Sequence, residues 1–178
     1  MSGLMTGAWL ARRWYLTLKT RRAYSVRQVS PGDRRLLAEF THELGAAATE
    51  RERPATRGLT TLLFDRVIVG DNDGAVAFVA LENTVAGDRV IGACAYATPG
   101  HEGAEFAIAV ANSHRNEQVG RTLLSTLLRH AKRVGIRRLT GEMLWSNRAM
   151  QSLATSMGFQ VLPLPTDRNG RVLLLELK

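Results

Sequence analysis

An α+β domain, one mixed sheet with helices on its faces, is the fold class this sequence predicts, and three observations carry the prediction. Three β-rich runs lie over residues 74–111, separated by Gly, Asn, Asp and Pro clusters, as in a meander. The apolar period then becomes helical, with Val119, Leu123, Leu124, Leu127, Leu128, Ala131 and Val134 on one face and Arg121, Ser125, Arg129, Lys132 and Arg133 on the other. A further strand-like run follows that helix, so a strand, a crossover helix and a second, parallel strand are expected there.

Each element has its own local reason. Residues 14–18 and 24–29 alternate as strands do, with residues 19–22 between them, which predicts a hairpin. Ser30, Pro31 and Asp33 supply an N-cap, a proline at the first helical position and a carboxylate three residues after the cap. Leu36, Leu37, Phe40 and Leu44 then carry a helix to about Gly45. Residues 45–58 read as linker, and residues 59–64 fit either a short helix or a strand. Strands are expected over 74–82, 89–97 and 103–111, then the long helix closed by Gly135, then a strand over 136–144. Asn147 is a candidate N-cap for a helix with Met150, Leu153, Ala154 and Met157 inward and Gly158 past its end. Residues 159–164 and 171–177 are expected to pair around Asn169-Gly170, a dipeptide suited to a type I′ turn.

Composition bounds the function. At 178 residues and 19.6 kDa the chain suits one domain with a real core. Its 45% apolar and 22% charged content excludes disordered, collagen-like and disulfide-scaffold classes. A single cysteine, Cys94, rules out an internal disulfide and a Cys-based zinc site, and reads as a small core residue. No apolar run approaches the roughly 18 residues that span a bilayer, and the N-terminus lacks a continuous apolar segment, so a soluble, reduced, cytoplasmic protein is expected. Net charge is +8, concentrated in residues 1–23 (+5) and 112–138 (+6), the rest summing to −3. Only three of the 24 basic residues are lysines, so position matters here more than the arginine count.

The second basic segment holds the chemistry. Residues 105–110 form a strand that runs into His114-Arg-Asn-Glu-Gln-Val-Gly120, and this loop opens directly into the long helix. Free backbone N–H groups and the positive end of the helix dipole would point out at that turn. Gly120 lets a ligand approach the backbone, while Arg115 and Arg121 add donors for a phosphate, so a pyrophosphate is the natural occupant. A helix start decorated with solvated arginines is the other reading of the same residues. His101 and Glu102, near Glu105, lack zinc-motif spacing, and Asp71-Asn-Asp-Gly74 lacks the rest of a calcium loop, so no metal is expected.

At these residues the sequence resembles the GCN5-related N-acetyltransferase (GNAT) superfamily. Its acetyl-CoA motif, Gln/Arg-x-x-Gly-x-Gly/Ala, is matched by Arg115-Asn-Glu-Gln118-Val-Gly120 at the first and last positions. Its later motif, an Asn before a helix ending in Gly-Phe, is matched from Asn147 to Gly158 and Phe159. Ala104-Glu-Phe-Ala107, Gly141-Glu-Met-Leu144, Asn147-Arg-Ala-Met150 and Leu153-Ala154 look more specifically like the bacterial protein-lysine acetyltransferase (Pat-like) branch. The resemblance implies a GNAT fold of about seven strands and about four helices over residues 14–178, behind a basic extension over residues 1–13. It further implies acetyl-CoA as cosubstrate, bound by Arg115, Asn116, Glu117, Gln118, Val119, Gly120 and Arg121. Ile108, Ala109 and Val110 would pair their backbone with the pantetheine arm, which Asn147 would also contact.

A lysine amine is mostly protonated at neutral pH, so acyl transfer to it needs a proton acceptor. Glu105 shares its strand face with Ala107 and Ala109, which leave room beside the carboxylate, and partial burial there would strengthen it as a base. The resemblance implies the same role, since Pat-like enzymes carry their general base at this glutamate. Two departures from the family pattern bear on the site. Gln118 replaces the first glycine of the loop, so its backbone must avoid positive φ or accept strain. Ala154 stands where a tyrosine often serves as general acid, leaving water, Ser152 or Ser156 to protonate the thiolate, or no group at all.

Expected partners are therefore acetyl-CoA and an amine acceptor, a protein lysine or a small molecule, on a monomer or homodimer. A non-catalytic acyl-CoA sensor is the alternative that Gln118 and Ala154 suggest. The basic residues Arg12, Arg13, Arg21 and Arg22, with Trp9, Trp14 and Tyr15, read as a solvated edge rather than a nucleic-acid or membrane patch.

Overall fold

The computed structural model describes residues 24–47, 67, 74–98 and 103–177. Seven strands form one sheet: β1 (Tyr24–Gln28), β2 (Val76–Thr84), β3 (Gly87–Ala97), β4 (Ala104–Val110), β5 (Arg138–Leu144), β6 (Gln160–Leu164) and β7 (Asp167–Glu176). Their spatial order is β1-β2-β3-β4-β5-β7-β6, and only the β4–β5 pairing is parallel. Three α-helices accompany it among the described residues: α1 (Arg34–Ala47), α2 (Val119–Arg133) and α3 (Arg148–Ser156). Two 3-10 turns lie at residues 31–33 and 112–114. The α+β class, the mixed sheet and the strand–helix–strand crossover are as expected. The expected strand over 14–18, the segment over 59–64 and the basic extension lie outside the described residues.

Two apolar layers cover the sheet. On one face α2 buries Leu123, Leu124 and Leu127 completely against Phe78, Ile91, Tyr96 and Leu139. Each such side chain contributes about 1.5–3 kcal/mol, so the helical stripe seen in the sequence is the main attachment of α2. α3 adds Ala154 to the same cluster. On the other face α1 buries Leu37 and Phe40 over Ala77, Val79, Ala93 and Ala95. Those strand positions are small, which lets a helix with few large residues lie close.

The entry to α1 is fixed by charge. Asp33, 4% exposed, accepts two hydrogen bonds from Arg27 (2.6 and 2.7 Å) and others from the Ser30 N–H (2.8 Å) and hydroxyl (3.0 Å). These bonds to Arg27 hold the Asp33 carboxyl down at about 2 against the opposing effect of burial.

Strands β4 and β5 pair only through Ala104–Leu139 and Glu105–Thr140. Beyond that point β4 stays on β3, pairing as far as Val110 with Gly92, while β5 pairs along its whole length with β7. The β5-facing edge of β4 from Phe106 to Val110 is thus left without a strand partner among the described residues. Phe106 lies over Gly141 at the point of divergence, where a Cβ would approach its ring to 2.6 Å.

The last hairpin corrects the sequence reading. Leu164 pairs with Asp167, so the turn is Pro165-Thr166, and Asn169-Gly170 lies inside β7 rather than at a type I′ turn. Proline presets φ for the first central turn position, and the Asp167 side chain accepts from the Asn169 N–H (2.8 Å). Gly170 is instead needed for space: a Cβ there would meet Leu164 at 2.6 Å.

Candidate active site

The loop between β4 and α2 begins where the β3–β4 ladder ends. The Ala111 N–H donates to Ile91 O (2.9 Å), and Ile91 is the extra residue of β3 where its register with β2 shifts. After the 3-10 turn, Asn116 (φ 69°) and Gln118 (φ 68°) both adopt the left-handed conformation. Gln118 therefore takes the strained alternative, the backbone a glycine would supply. The first intrahelical hydrogen bond runs from the Thr122 N–H to Gln118 O (3.0 Å), so the N–H groups of Val119, Gly120 and Arg121 have no helical acceptor. Gly120 is half-buried between Leu153 and Val110, with room for a Cβ only at van der Waals distance. Free donors, a glycine and a helix N-terminus thus converge, and this donor set fits a diphosphate.

Of the flanking cations, Arg115 is exposed, whereas Arg121 donates to Ser156 Oγ (2.7 Å) and so ties α2 to α3. Ser156 in turn donates its proton to Leu153 O (2.7 Å). It is therefore already engaged on both sides and unsuited to protonating a thiolate. Ser152 is exposed on α3, and Ala154 is fully buried in the core. Asn147 caps α3, its Oδ1 accepting from the Met150 N–H (3.1 Å). Ile108, Ala109 and Val110 lie half-buried on the free edge of β4, leading toward the loop.

Glu105 stands at the start of that edge, paired across β3 with Ala97 and across β5 with Thr140. It is exposed, not partly buried as expected, because the cluster under α1 takes in Ala107 and Ala109 but stops short of it. Among the described residues its carboxylate has no ion pair or hydrogen bond. A solvated carboxylate with no partner among the described residues suits a proton acceptor.

Several polar groups around the loop were not read from the sequence. His114 is wholly buried, with Nδ1 2.9 Å from Ser113 Oγ and Nε2 3.4 Å from Glu82 Oε2. Tyr24 Oη lies 2.9 Å from Thr122 Oγ1. Past β5, Trp145 has the guanidinium carbons of Arg148 and Arg171 at 4.2 and 4.3 Å from its ring centroid. The Tyr24–Thr122, Glu82–His114 and Arg171–Trp145 pairings join residues far apart in sequence. Cys94 is fully buried, donates to Leu123 O (3.6 Å), and burial pushes its thiol far up, as suits the core residue expected. No helix among the described residues is long and apolar enough to cross a membrane.

Comparison with known proteins agrees with this geometry. A profile of the acetyltransferase (GNAT) family matches residues 37–159. Among solved structures, a GNAT-family acetyltransferase from Staphylococcus aureus superposes with TM-score 0.67 at 16% identity, covering 88% of this chain and 100% of that one. The structure of yncA from Salmonella typhimurium with its cofactor acetyl-CoA gives 0.64 at 20% identity, covering 88% and 95%. The GNAT domain of S. lividans PAT gives 0.63 at 20% identity, covering 85% and 89%. The family profile spans well over half of the chain, which therefore belongs to the GNAT family of acetyltransferases, whose acyl donor is acetyl-CoA.

Proposed function

We propose that this protein transfers the acetyl group of acetyl-CoA directly to an amine, with a protein lysine as acceptor and Glu105 as general base. The observation that carries the proposal is the position of Glu105. An exposed carboxylate with no partner among the described residues stands where β4 and β5 part, at the head of the strand edge that leads to the loop at 115–121. An acceptor on a large partner reaches such a site more easily than it would a carboxylate at the bottom of a pocket. The motifs shared with the Pat-like branch and the likeness to the S. lividans PAT domain support the same acceptor class.

In this reading the loop N–H groups, Arg115 and Arg121 hold the diphosphate, and the backbone of Ile108 to Val110 pairs with the pantetheine arm, which Asn147 also contacts. Glu105 takes a proton from the incoming ammonium, directly or through one water; the freed amine lone pair then attacks the thioester carbonyl, and the adduct loses its remaining extra N–H proton to solvent as the C–S bond breaks. With Ala154 in place of a tyrosine and Ser156 engaged, the leaving thiolate takes its proton from solvent. Glu105→Gln tests the role: turnover should fall by about 10²-fold or more while calorimetric binding of acetyl-CoA persists. Wild-type turnover in that variant would end the assignment. An acceptor screen that finds acetylation of polyamines or aminoglycosides but of no protein would move the acceptor to the small-molecule class.

A further inference from the structure

Tyr24 and Glu82 are direct cross-strand partners on β1 and β2, and both reach the loop at 115–121, one at each end. Glu82, 14% exposed, faces His114 just before the loop at 3.4 Å. Tyr24 reaches Thr122 just after it at 2.9 Å. Thr122 Oγ1 donates its one proton to Gln118 O (3.1 Å), so the Tyr24 hydroxyl is the donor to Thr122, and the relay ends on the left-handed residue itself. At the other end Nε2 of His114 faces the carboxylate, while Nδ1 lies 2.9 Å from the Ser113 hydroxyl. Two non-glycine residues in left-handed geometry persist only where the surroundings over-determine them.

We infer that the Tyr24–Glu82 pair is a two-point clamp, acting through Thr122 and His114, that holds the loop in its strained shape and thereby sets the affinity for acetyl-CoA. These four are positioning residues, since none need touch the ligand. The inference rests on the reading of this loop as the cofactor site.

The test measures acetyl-CoA binding by calorimetry on the full chain, well below the unfolding temperature, so that no acceptor has to be known. Tyr24→Phe removes a single hydroxyl and Glu82→Leu removes the acceptor facing His114 at similar volume, so both should fold. Each should weaken binding about fivefold, the equivalent of one hydrogen bond. Adding Gln118→Gly to Tyr24→Phe should restore most of the affinity, because glycine holds the left-handed geometry without support. A purely structural role would not produce that rescue. Unchanged dissociation constants in both single variants, or weakened binding that Gln118→Gly fails to rescue, would overturn the clamp. If the wild-type chain itself binds no acetyl-CoA, the cofactor reading fails first and the clamp falls with it.

Discussion

The strain at Gln118 has a thermodynamic consequence that needs no ligand to measure. At φ 68° its Cβ crowds the following carbonyl, which costs about 1–2 kcal/mol for an L-residue. Gln118→Gly removes that cost but enlarges the unfolded ensemble, which returns about 0.5–1 kcal/mol. The Gln118 side chain is exposed and makes no hydrogen bond among the described residues, so its loss adds little. The net is a stabilisation of about 0.5–1 kcal/mol, or a rise in Tm of about 1–4 °C for a chain of this length. Scanning calorimetry without ligand reads it directly, with Arg129→Gly as the control. Arg129 is an exposed residue in the middle of α2, where glycine costs about 1 kcal/mol and should lower Tm. If Gln118→Gly lowers Tm as the control does, the left-handed strain is not present in the molecule and the account of the loop is wrong. Asn116→Gly should gain less, because asparagine tolerates the left-handed region better.

Two further perturbations test the frame around the site. The Asp33 carboxyl, held at about 2 chiefly by its bonds to Arg27, gives stability that is fully present above the unfolded value near 4 and is lost as pH falls toward 2. Because Arg27 is 43% exposed, the effect is about 1–2 kcal/mol. Tm measured from pH 6 to pH 2 should show wild type and Asp33→Asn converging below pH 4, and a constant gap between them would refute the linkage. Gly141→Ala places a methyl 2.6–3.0 Å from the Phe106 ring and should cost about 1–3 kcal/mol by overpacking. Since Phe106 adjoins Glu105, turnover should fall with it, and an unchanged Tm would show that the ring moves aside freely.

What could be read from the sequence was local. Leu123, Leu124 and Leu127 announce α2 because a helix repeats its buried face every three or four residues, and Asn147 announces α3 because a cap side chain accepts from the N–H three residues on. The loop at 115–121 was legible for the same reason, as a strand end running straight into a helix start. Asn169-Gly170 misled because turn propensity competes with pairing: β7 gains ladder partners on both sides by running through it, and Pro165 takes the turn. The exposure of Glu105 was not readable, since it depends on where α1 ends over the sheet. Nor were Glu82 and Tyr24, whose reach to the loop exists only once β1 and β2 lie beside each other and α2 packs across them.

That non-local dependence explains how this chain does without the usual glycine. A loop built on glycine reaches left-handed geometry at no steric cost but must be ordered from a larger ensemble when ligand binds. With glutamine and asparagine the steric cost, on the order of 1–2 kcal/mol for the glutamine, is met once in folding, and the Tyr24 hydrogen bond to Thr122, about 1 kcal/mol, and the Glu82–His114 contact oppose it. The loop then meets its ligand already shaped, so less ordering entropy is subtracted from binding. On the proposed reading, residues at the far end of the chain thereby become part of the cofactor site, and cofactor affinity becomes sensitive to the integrity of β1, a strand that lies three places from β4 in the sheet.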